Sequence, residues 1–279
     1  MLFDTITIVG VGLIGGSIGL AAKARGVARS VVGVGRNAEV LELAVKLGAI
    51  DRSTTDSSEG FAAASLVIVC TPVNLIADVI LKHARFCNTG TIITDAGSTK
   101  ANISTQLCGN LPAGVMYVGS HPLAGSEKSG VEHSTATLFD AKTAIVTTDD
   151  AAEADIETVA TFWRHLGSKV IRMTTDEHDR AVAFTSHLPH AVAAAVAASL
   201  PPQWLPLAAS GFKDTTRVAG GDVAMWDAIF QSNRVSVLAA AERFASRFNT
   251  FRELLAAGDA AGLYRWLDEG KQVRDALGS

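Results

Sequence analysis

Apolar positions in the first 172 residues fall into short β-branched runs, each followed by a longer stretch with helical spacing. Residues 6–9 form such a run. Gly-Val-Gly-Leu-Ile-Gly-Gly-Ser follows from Gly10, and a helical pattern then reaches Arg25. Residues 30–34 read as a second strand, and Asn37 as the N-cap of a helix through Leu47. Residues 66–70 are continuously apolar and stop at Thr71-Pro72, the pattern of a parallel strand covered on both faces. Residues 91–94 repeat this, and 116–118 and 144–147 do so in weaker form. Strand and helix in alternation predict an α/β fold, a doubly wound domain with right-handed crossovers.

The pattern changes after Arg172. Thr174-Thr175-Asp176-Glu177 has the form of a capping box. Beyond it the spacing predicts helices over 177–200, 203–210, 223–257 and 260–276, with no strand. The expected division is therefore 1–172, a Rossmann-type α/β domain, and 173–279, an all-α domain. Residues 191–200 are mostly alanine and end at Pro201-Pro202. That run is too short to span a bilayer and is expected to be a buried helix.

Composition narrows the function classes. The chain has 279 residues, 48% hydrophobic and 19% charged, enough to bury a large core. A net charge of -4 with mixed signs offers nothing to nucleic acid or an anionic membrane. Cys70, Cys87 and Cys108 form no CxxC pair, and no basic segment precedes the first apolar run. A cytoplasmic, reducing location is expected.

Gly10, Gly12 and Gly15 give GxGxxG between a strand and a helix. The first glycine permits a tight turn, the second lets backbone approach a pyrophosphate, and the third allows close helix–strand packing. The helix start adds amide donors at Leu13 and Ile14. Thr71, just past the third apolar run, joins this cofactor-binding set. The second strand ends at Val34-Gly35-Arg36-Asn37 with no carboxylate for ribose hydroxyls. Arg36 there suits a 2′-phosphate, so NADP is the preferred cofactor and NAD the alternative, with Arg36 then stacked on adenine or left in solvent.

Ser98, in Asp-Ala-Gly-Ser-Thr-Lys after the fourth run, faces the edge where open sheets bind ligands, or serves as a plain N-cap. His121 stands directly after another run in Gly-Ser-His-Pro-Leu-Ala-Gly-Ser-Glu-Lys-Ser-Gly, a place for an acid or base or for a bracing histidine. Together with Ser-His-Leu-Pro-His at 186–190, Lys-Asp-Thr-Thr-Arg-Val-Ala at 213–219 and Met-Trp at 225–226, these segments resemble the prephenate/arogenate dehydrogenase family along essentially the whole chain.

The resemblance implies oxidative decarboxylation of prephenate or arogenate, with hydride transfer to NAD(P)+, in tyrosine biosynthesis. It implies His121 as the catalytic histidine, Ser98 and His190 beside it, and Arg217 as the grip on a substrate carboxylate. A planar guanidinium suits that pair better than lysine. Ser126, Glu127 and Trp226 join the substrate-binding set, with Glu127 and Lys128 either gating the pocket, making interdomain and inter-subunit polar contacts, or standing as a solvated loop pair. Asp214 either pairs with Arg217 or holds its rotamer. His187 is expected as an interdomain contact. No metal is implied, since His187 and His190 lack a third ligand. The helical half becomes a substrate-binding and dimerisation domain, and competitive inhibition by tyrosine is possible. Retention of a histidine at 190 favours prephenate over arogenate. Two other readings are a β-hydroxyacid-type dehydrogenase using Lys213, and a dinucleotide sensor without turnover.

Overall fold

A strand covered on both faces needs apolar residues at every position, and residues 66–69 meet that demand. In the computed structural model, which describes residues 1–125, 128–149 and 151–278, they form the centre of a six-stranded parallel sheet. The elements in chain order are β1 (Phe3–Val9), α1 (Leu13–Ala24), β2 (Ala28–Val34), α2 (Ala38–Lys46), β3 (Arg52–Thr54), α3 (Ser57–Ala62), β4 (Leu66–Val69), α4 (Ile76–His83), β5 (Ile92–Asp95), α5 (Ala101–Leu107) and β6 (Met116–Tyr117). Strand order is β3-β2-β1-β4-β5-β6, so the order reverses between β1 and β4. Asn37 caps α2, accepting hydrogen bonds from the amides of Glu39 (2.9 Å) and Val40 (3.3 Å).

The chain then departs from the doubly wound pattern. β7 (Ser120–Pro122), β8 (Thr143–Thr147) and β9 (Lys169–Met173) make a separate three-stranded sheet, with α6 (Glu153–His165) between the last two. Residues 144–147, expected to repeat the first pattern, thus belong to a second sheet. β7 runs antiparallel to β8, so β8 cannot extend the parallel series. Trp163 of α6 is fully buried, edge-on to Phe139 and Phe162, and its Nε1 donates to Ser120 Oγ at 2.9 Å.

The helical part begins with α7 (Thr175–Val182), whose capping box forms as the sequence predicts. A π turn (Ala183–His187) leads into α8 (Leu188–Ala198), followed by a 3₁₀ turn (Pro202–Leu207), α9 (Ser210–Thr216), a second 3₁₀ turn (Arg217–Gly220) and α10 (Val223–Ser232). The expected helix over 203–210 is replaced by the first 3₁₀ turn, because Pro206 lies inside it. The expected helix over 223–257 breaks at Asn233, which leaves helical geometry. The chain divides by packing into Met1–Asn233 and Arg234–Ser279. The change from sheet to helix at 173–175 is thus not a break in packing. In the second unit α11 (Arg234–Ala257) and α12 (Ala260–Ala276) meet through Phe251 on Trp266, and Arg247 pairs with Glu269 at 2.6 Å.

Two expectations about the helical half change. Residues 175–198 form one 24-residue helical run, long and apolar enough to cross a membrane by length and composition. It carries His178, Asp179 and His187, all buried and hydrogen-bonded inside the protein. The alanine-rich stretch at its end is not buried as expected. Only Ala193 is enclosed there, and Ala194, Ala195 and Val196 are exposed.

Loss of Trp163 tests how far β7 depends on α6. Trp163→Ala should cost roughly 3–5 kcal/mol. Trp163→Phe, which keeps most of the volume but removes the donor to Ser120, should cost about 1–2 kcal/mol. Urea denaturation measures both, and a Trp163→Phe variant as stable as wild type would show that the hydrogen bond contributes nothing.

Candidate active site

All six strands of the large sheet are parallel, so their carboxyl ends share one edge. Gly10 follows β1, Gly35 and Arg36 follow β2, Thr71 follows β4, and Ser98 follows β5 along that edge. The reversal between β1 and β4 opens the crevice where such sheets bind ligands. Gly10 has φ +91°, and a side chain there would meet the Cys70 carbonyl at 2.9 Å. A Cβ on Gly15 would overlap the Gly10 carbonyl oxygen and Ile8. Gly12, by contrast, is the N-cap of α1 with open space at its Cβ position. Backbone can therefore be approached from outside at Gly12, with the amides of Leu13, Ile14 and Gly15 opening the helix behind it. Thr71 Oγ1 is a buried hydroxyl without a partner among the described residues. These features fit a dinucleotide phosphate. Arg36 is exposed and makes no ion pair among the described residues.

At the other end of the edge, Asp95 is a fully buried carboxylate. It accepts from the Gly97 amide (2.8 Å), the Tyr117 hydroxyl (2.8 Å), the Ser120 amide (3.3 Å) and the Lys100 ammonium. Ser120 in turn donates to the Asp95 carbonyl at 2.6 Å. Burial lowers the pKa of Lys100, partly offset by the charge of Asp95. This knot fixes the start of β7, and hence His121, against the loop that carries Ser98. Ser98 is half-buried, and its hydroxyl has no hydrogen bond among the described residues. It is not the helix cap. Lys100 holds the N-cap position of α5, and the free amides of Lys100 and Ala101 are capped by Asp179 at 2.8 and 3.0 Å.

His121 is buried, with Nδ1 2.8 Å from Nε2 of His178. His178 Nδ1 lies 2.7 Å from Asp179 Oδ1. Burial holds His121 well below the usual imidazole pKa, and His178, Lys100 and His187 push the same way. Neither His178 nor Asp179 stands out in the sequence. The signal available was helical spacing. Four residues separate His178 from Val182 and Asp179 from Ala183, both buried, so the polar pair shares the inward face.

His187 and His190 both turn to Trp226. His190 stacks on the indole at 3.6 Å between ring centroids, and His187 meets it edge-on at 6.1 Å. His187 also contacts Asn233 at 3.2 Å, and burial lowers its pKa to about 4. His190 Nδ1 is buried without a partner among the described residues, leaving a polar atom for a ligand. Trp226 is half-buried and packs on the core beside α4 and α5. Arg217 is exposed at the start of its 3₁₀ turn, and that turn packs against α8. The alternative of an ion pair with Asp214 is not met, and among the described residues Arg217 has no ionic partner. Ser126 and Glu127 lie outside the described residues. A separate cavity of about 490 Å³ between α5 and α10 is lined by Asn74, Asn102, Gln106, Asp227 and Gln231, among others, and by none of the expected site residues.

Comparison with known proteins gives this geometry a family. The model of the prephenate dehydrogenase nucleotide-binding domain matches residues 18–172, and that of the prephenate dehydrogenase dimerization domain matches 174–269. The chain belongs to the prephenate dehydrogenase family. It is 33% identical to the prephenate dehydrogenase of Bacillus subtilis (strain 168), over 98% of this chain and 76% of that protein. It is 32% identical to the cyclohexadienyl dehydrogenase of Zymomonas mobilis, over 99% of this chain and 97% of the relative. The crystal structure of Aquifex aeolicus prephenate dehydrogenase with hydroxyphenyl propionate and NAD+ superimposes with a TM-score of 0.91 at 32% identity, covering 98% of each chain. Membership sets aside the Lys213-based hydroxyacid reading.

The buried histidines make acid the weak side of this fold. His121, His178, His187 and His190 all have lowered pKa values. The unfolded chain takes up their protons near pH 6.5 while the fold refuses them. Stability is therefore complete above about pH 6.5 and falls as pH drops toward 4. Urea midpoints should hold from pH 7.5 to about 6.5 and decline from there to pH 5. In the same range kcat/KM should keep its basic-form value below pH 6.5. An acid limb centred above 6.5 would contradict a neutral, desolvated His121.

Proposed function

We propose that the protein oxidises prephenate to 4-hydroxyphenylpyruvate and carbon dioxide, with His121 as the proton acceptor and NADP as the preferred cofactor. The observation that carries this is the buried, neutral His121 held beside the Ser98 loop at the ligand-binding edge of a dinucleotide-type sheet.

Oxidation at C4 of the cyclohexadienol ring removes a hydride from carbon and a proton from the hydroxyl. Bound nicotinamide supplies the hydride acceptor. His121 takes the hydroxyl proton at the ring nitrogen not engaged by His178. Ser98, with its hydroxyl uncommitted, orients that hydroxyl. As the C4 carbonyl forms, the carboxylate at C1 leaves as carbon dioxide and the ring becomes aromatic. Arg217 grips a carboxylate of the substrate, and the absence of an ionic partner among the described residues leaves the guanidinium available. His190, backed by Trp226, offers its free ring nitrogen to the pyruvyl side chain. With the hydrogen on that nitrogen it donates, which favours prephenate over arogenate, whose ammonium would meet another donor. Ser126 and Glu127 complete the substrate set.

Gly10, Gly12, Leu13, Ile14, Gly15 and Thr71 hold the dinucleotide. Arg36 meets a 2′-phosphate, since no carboxylate stands at the end of β2 to pair with free ribose hydroxyls. Residues 173–279 serve as the substrate-binding and dimerisation half. Trp204, Leu205, Leu207 and Val223 are all more than half exposed, as are Tyr264, Val273 and Leu277, and a homodimer would cover such surface. Tyrosine, which shares the ring and side-chain frame of the product, inhibits by competition. Nothing in the proposal requires a membrane, and the cytoplasm is the assigned location.

The test is a two-by-two comparison of NAD and NADP with prephenate and arogenate, followed by absorbance of the reduced cofactor. The pair of NADP and prephenate should give the highest kcat/KM. Arg36→Ala should cost tenfold or more with NADP and little with NAD, since it removes a charge-assisted contact worth about 1.5–3 kcal/mol. No turnover under any of the four conditions would overturn the assignment.

Arg217→Ala should raise KM by roughly 10–100-fold, for the same class of contact. His121→Ala should lower kcat by about 10²–10⁴ with dinucleotide affinity retained. Full turnover in His121→Ala would remove that residue from its role.

A further inference from the structure

We propose that His178 and Asp179 are positioning residues that fix the tautomer of His121, leaving its Nε2 unprotonated and ready to accept the substrate proton. The proposal deepens the reading of His121 as the acceptor and rests on it.

The argument is a count of donors and acceptors along one chain of contacts. An ionised carboxylate can only accept. Asp179 Oδ1 already takes the Lys100 amide at 2.8 Å, and it lies 2.7 Å from His178 Nδ1. That nitrogen must therefore carry the hydrogen. A neutral imidazole has one donor and one acceptor, so Nε2 of His178 is the acceptor. It faces Nδ1 of His121 at 2.8 Å, which must donate. The remaining nitrogen of His121 then holds a lone pair.

His178 must be neutral for this to hold. It has no exposed surface, and burial lowers its pKa even though Asp179 acts in the opposite direction. The groups around the pair are Lys100 and Asp95 from the loop after β5, Tyr117 on β6, His187 in the π turn, and Asp179 itself. Lys100 and Asp95 cancel as a buried pair, and Tyr117 stays protonated, its pKa raised by burial. Had His178 been charged, both its nitrogens would donate. His121 would then present N–H to the substrate and could not act as base.

During the reaction the substrate hydroxyl proton passes to His121 Nε2, making that ring a cation. Its Nδ1–H stays on the bond to His178, and Asp179 remains a carboxylate. The proton leaves to water after product release. Asp179 does a second job in the same place, since its two oxygens cap α5 and anchor the Ser98 loop. Asn233 also holds the Asp179 carbonyl at 2.7 Å. One side chain thus ties the orientation of His121 to the position of Ser98.

Nitrogen-15 NMR of histidine-labelled protein, without substrate, reads the tautomer directly. The wild-type chain should show His121 protonated at Nδ1 and bare at Nε2. Nε2–H on His121, or a cationic His178 at neutral pH, overturns the proposal whatever the enzyme turns over. His178→Phe keeps a ring but removes the acceptor. It should shift His121 toward the Nε2–H form and lower kcat about 10²–10⁴-fold, with KM for dinucleotide unchanged. His178→Gln, whose amide oxygen can accept, should recover part of that loss. A kcat within threefold of wild type in His178→Phe would also overturn it. Should that variant not fold, the wild-type spectrum and His178→Gln still decide the matter. If His121→Ala instead retained turnover, the functional reading would fail while the tautomer result stood.

Discussion

A carboxylate taken out of water needs donors for its lone pairs, and the site depends on two carboxylates meeting that demand with groups from distant segments. Asp95 gathers the β5–α5 loop, β6 and β7. Asp179 joins α5 to α7 and reaches the histidine pair. Asp95 is satisfied within the first half of the chain, whereas Asp179 cannot be until that half and the start of the helical half are both folded. The cost of burying charge therefore becomes a reason for sheet and helix to adopt one relative arrangement within Met1–Asn233. It also explains why packing breaks only after Asn233, itself bonded to the Asp179 carbonyl, rather than where strands give way to helices.

What could be read from the chain was local. The apolar run at 66–69, the cap at Asn37, the box at Thr174 and the glycine turn each depend on neighbours a few residues away, and each has a period or spacing that betrays it. His121 could be picked out for the same reason, as a polar residue at the end of a β-rich run. The second sheet could not, because β7 has three residues and pairs with a strand more than twenty residues later. His178 and Asp179 were hidden by their surroundings. They sit among Asp176, Glu177 and Arg180, and only the helical face separates buried polar groups from solvated ones. Ser98 shows the converse. A serine before a helix suggests a cap, but the capping groups come from α7, and the hydroxyl is released for other work.

The alanine-rich stretch after Pro189 illustrates how composition misleads about depth. Alanine tolerates burial without requiring it, so a run of alanines says little about which face is enclosed. In α8 the inward face is set by His190 and Ala193, and the outward face is small and apolar. Small side chains allow close approach of another helix, which fits the dimerization model matched by this half of the chain. Pro189 adds to the local geometry. It cannot donate to the preceding turn, and the π turn that precedes it brings His187 edge-on and His190 stacked against one indole.

On the proposed reading, an imidazole suits the role of acceptor because of the charge of the substrate. A diacid brings two negative charges to the crevice, and a carboxylate base would repel both in a low-dielectric site. A lysine would attract them but would hold its proton at neutral pH. A neutral imidazole avoids both faults, provided that burial keeps it neutral and a neighbour keeps its lone pair facing outward. The first condition is met by enclosing His121 beside Lys100, and the second by a partner that can accept only because a carboxylate stands behind it. Each buried group also makes the fold more sensitive to acid. That sensitivity and the supply of an unprotonated imidazole have one cause, the reluctance of a buried ring to carry a proton.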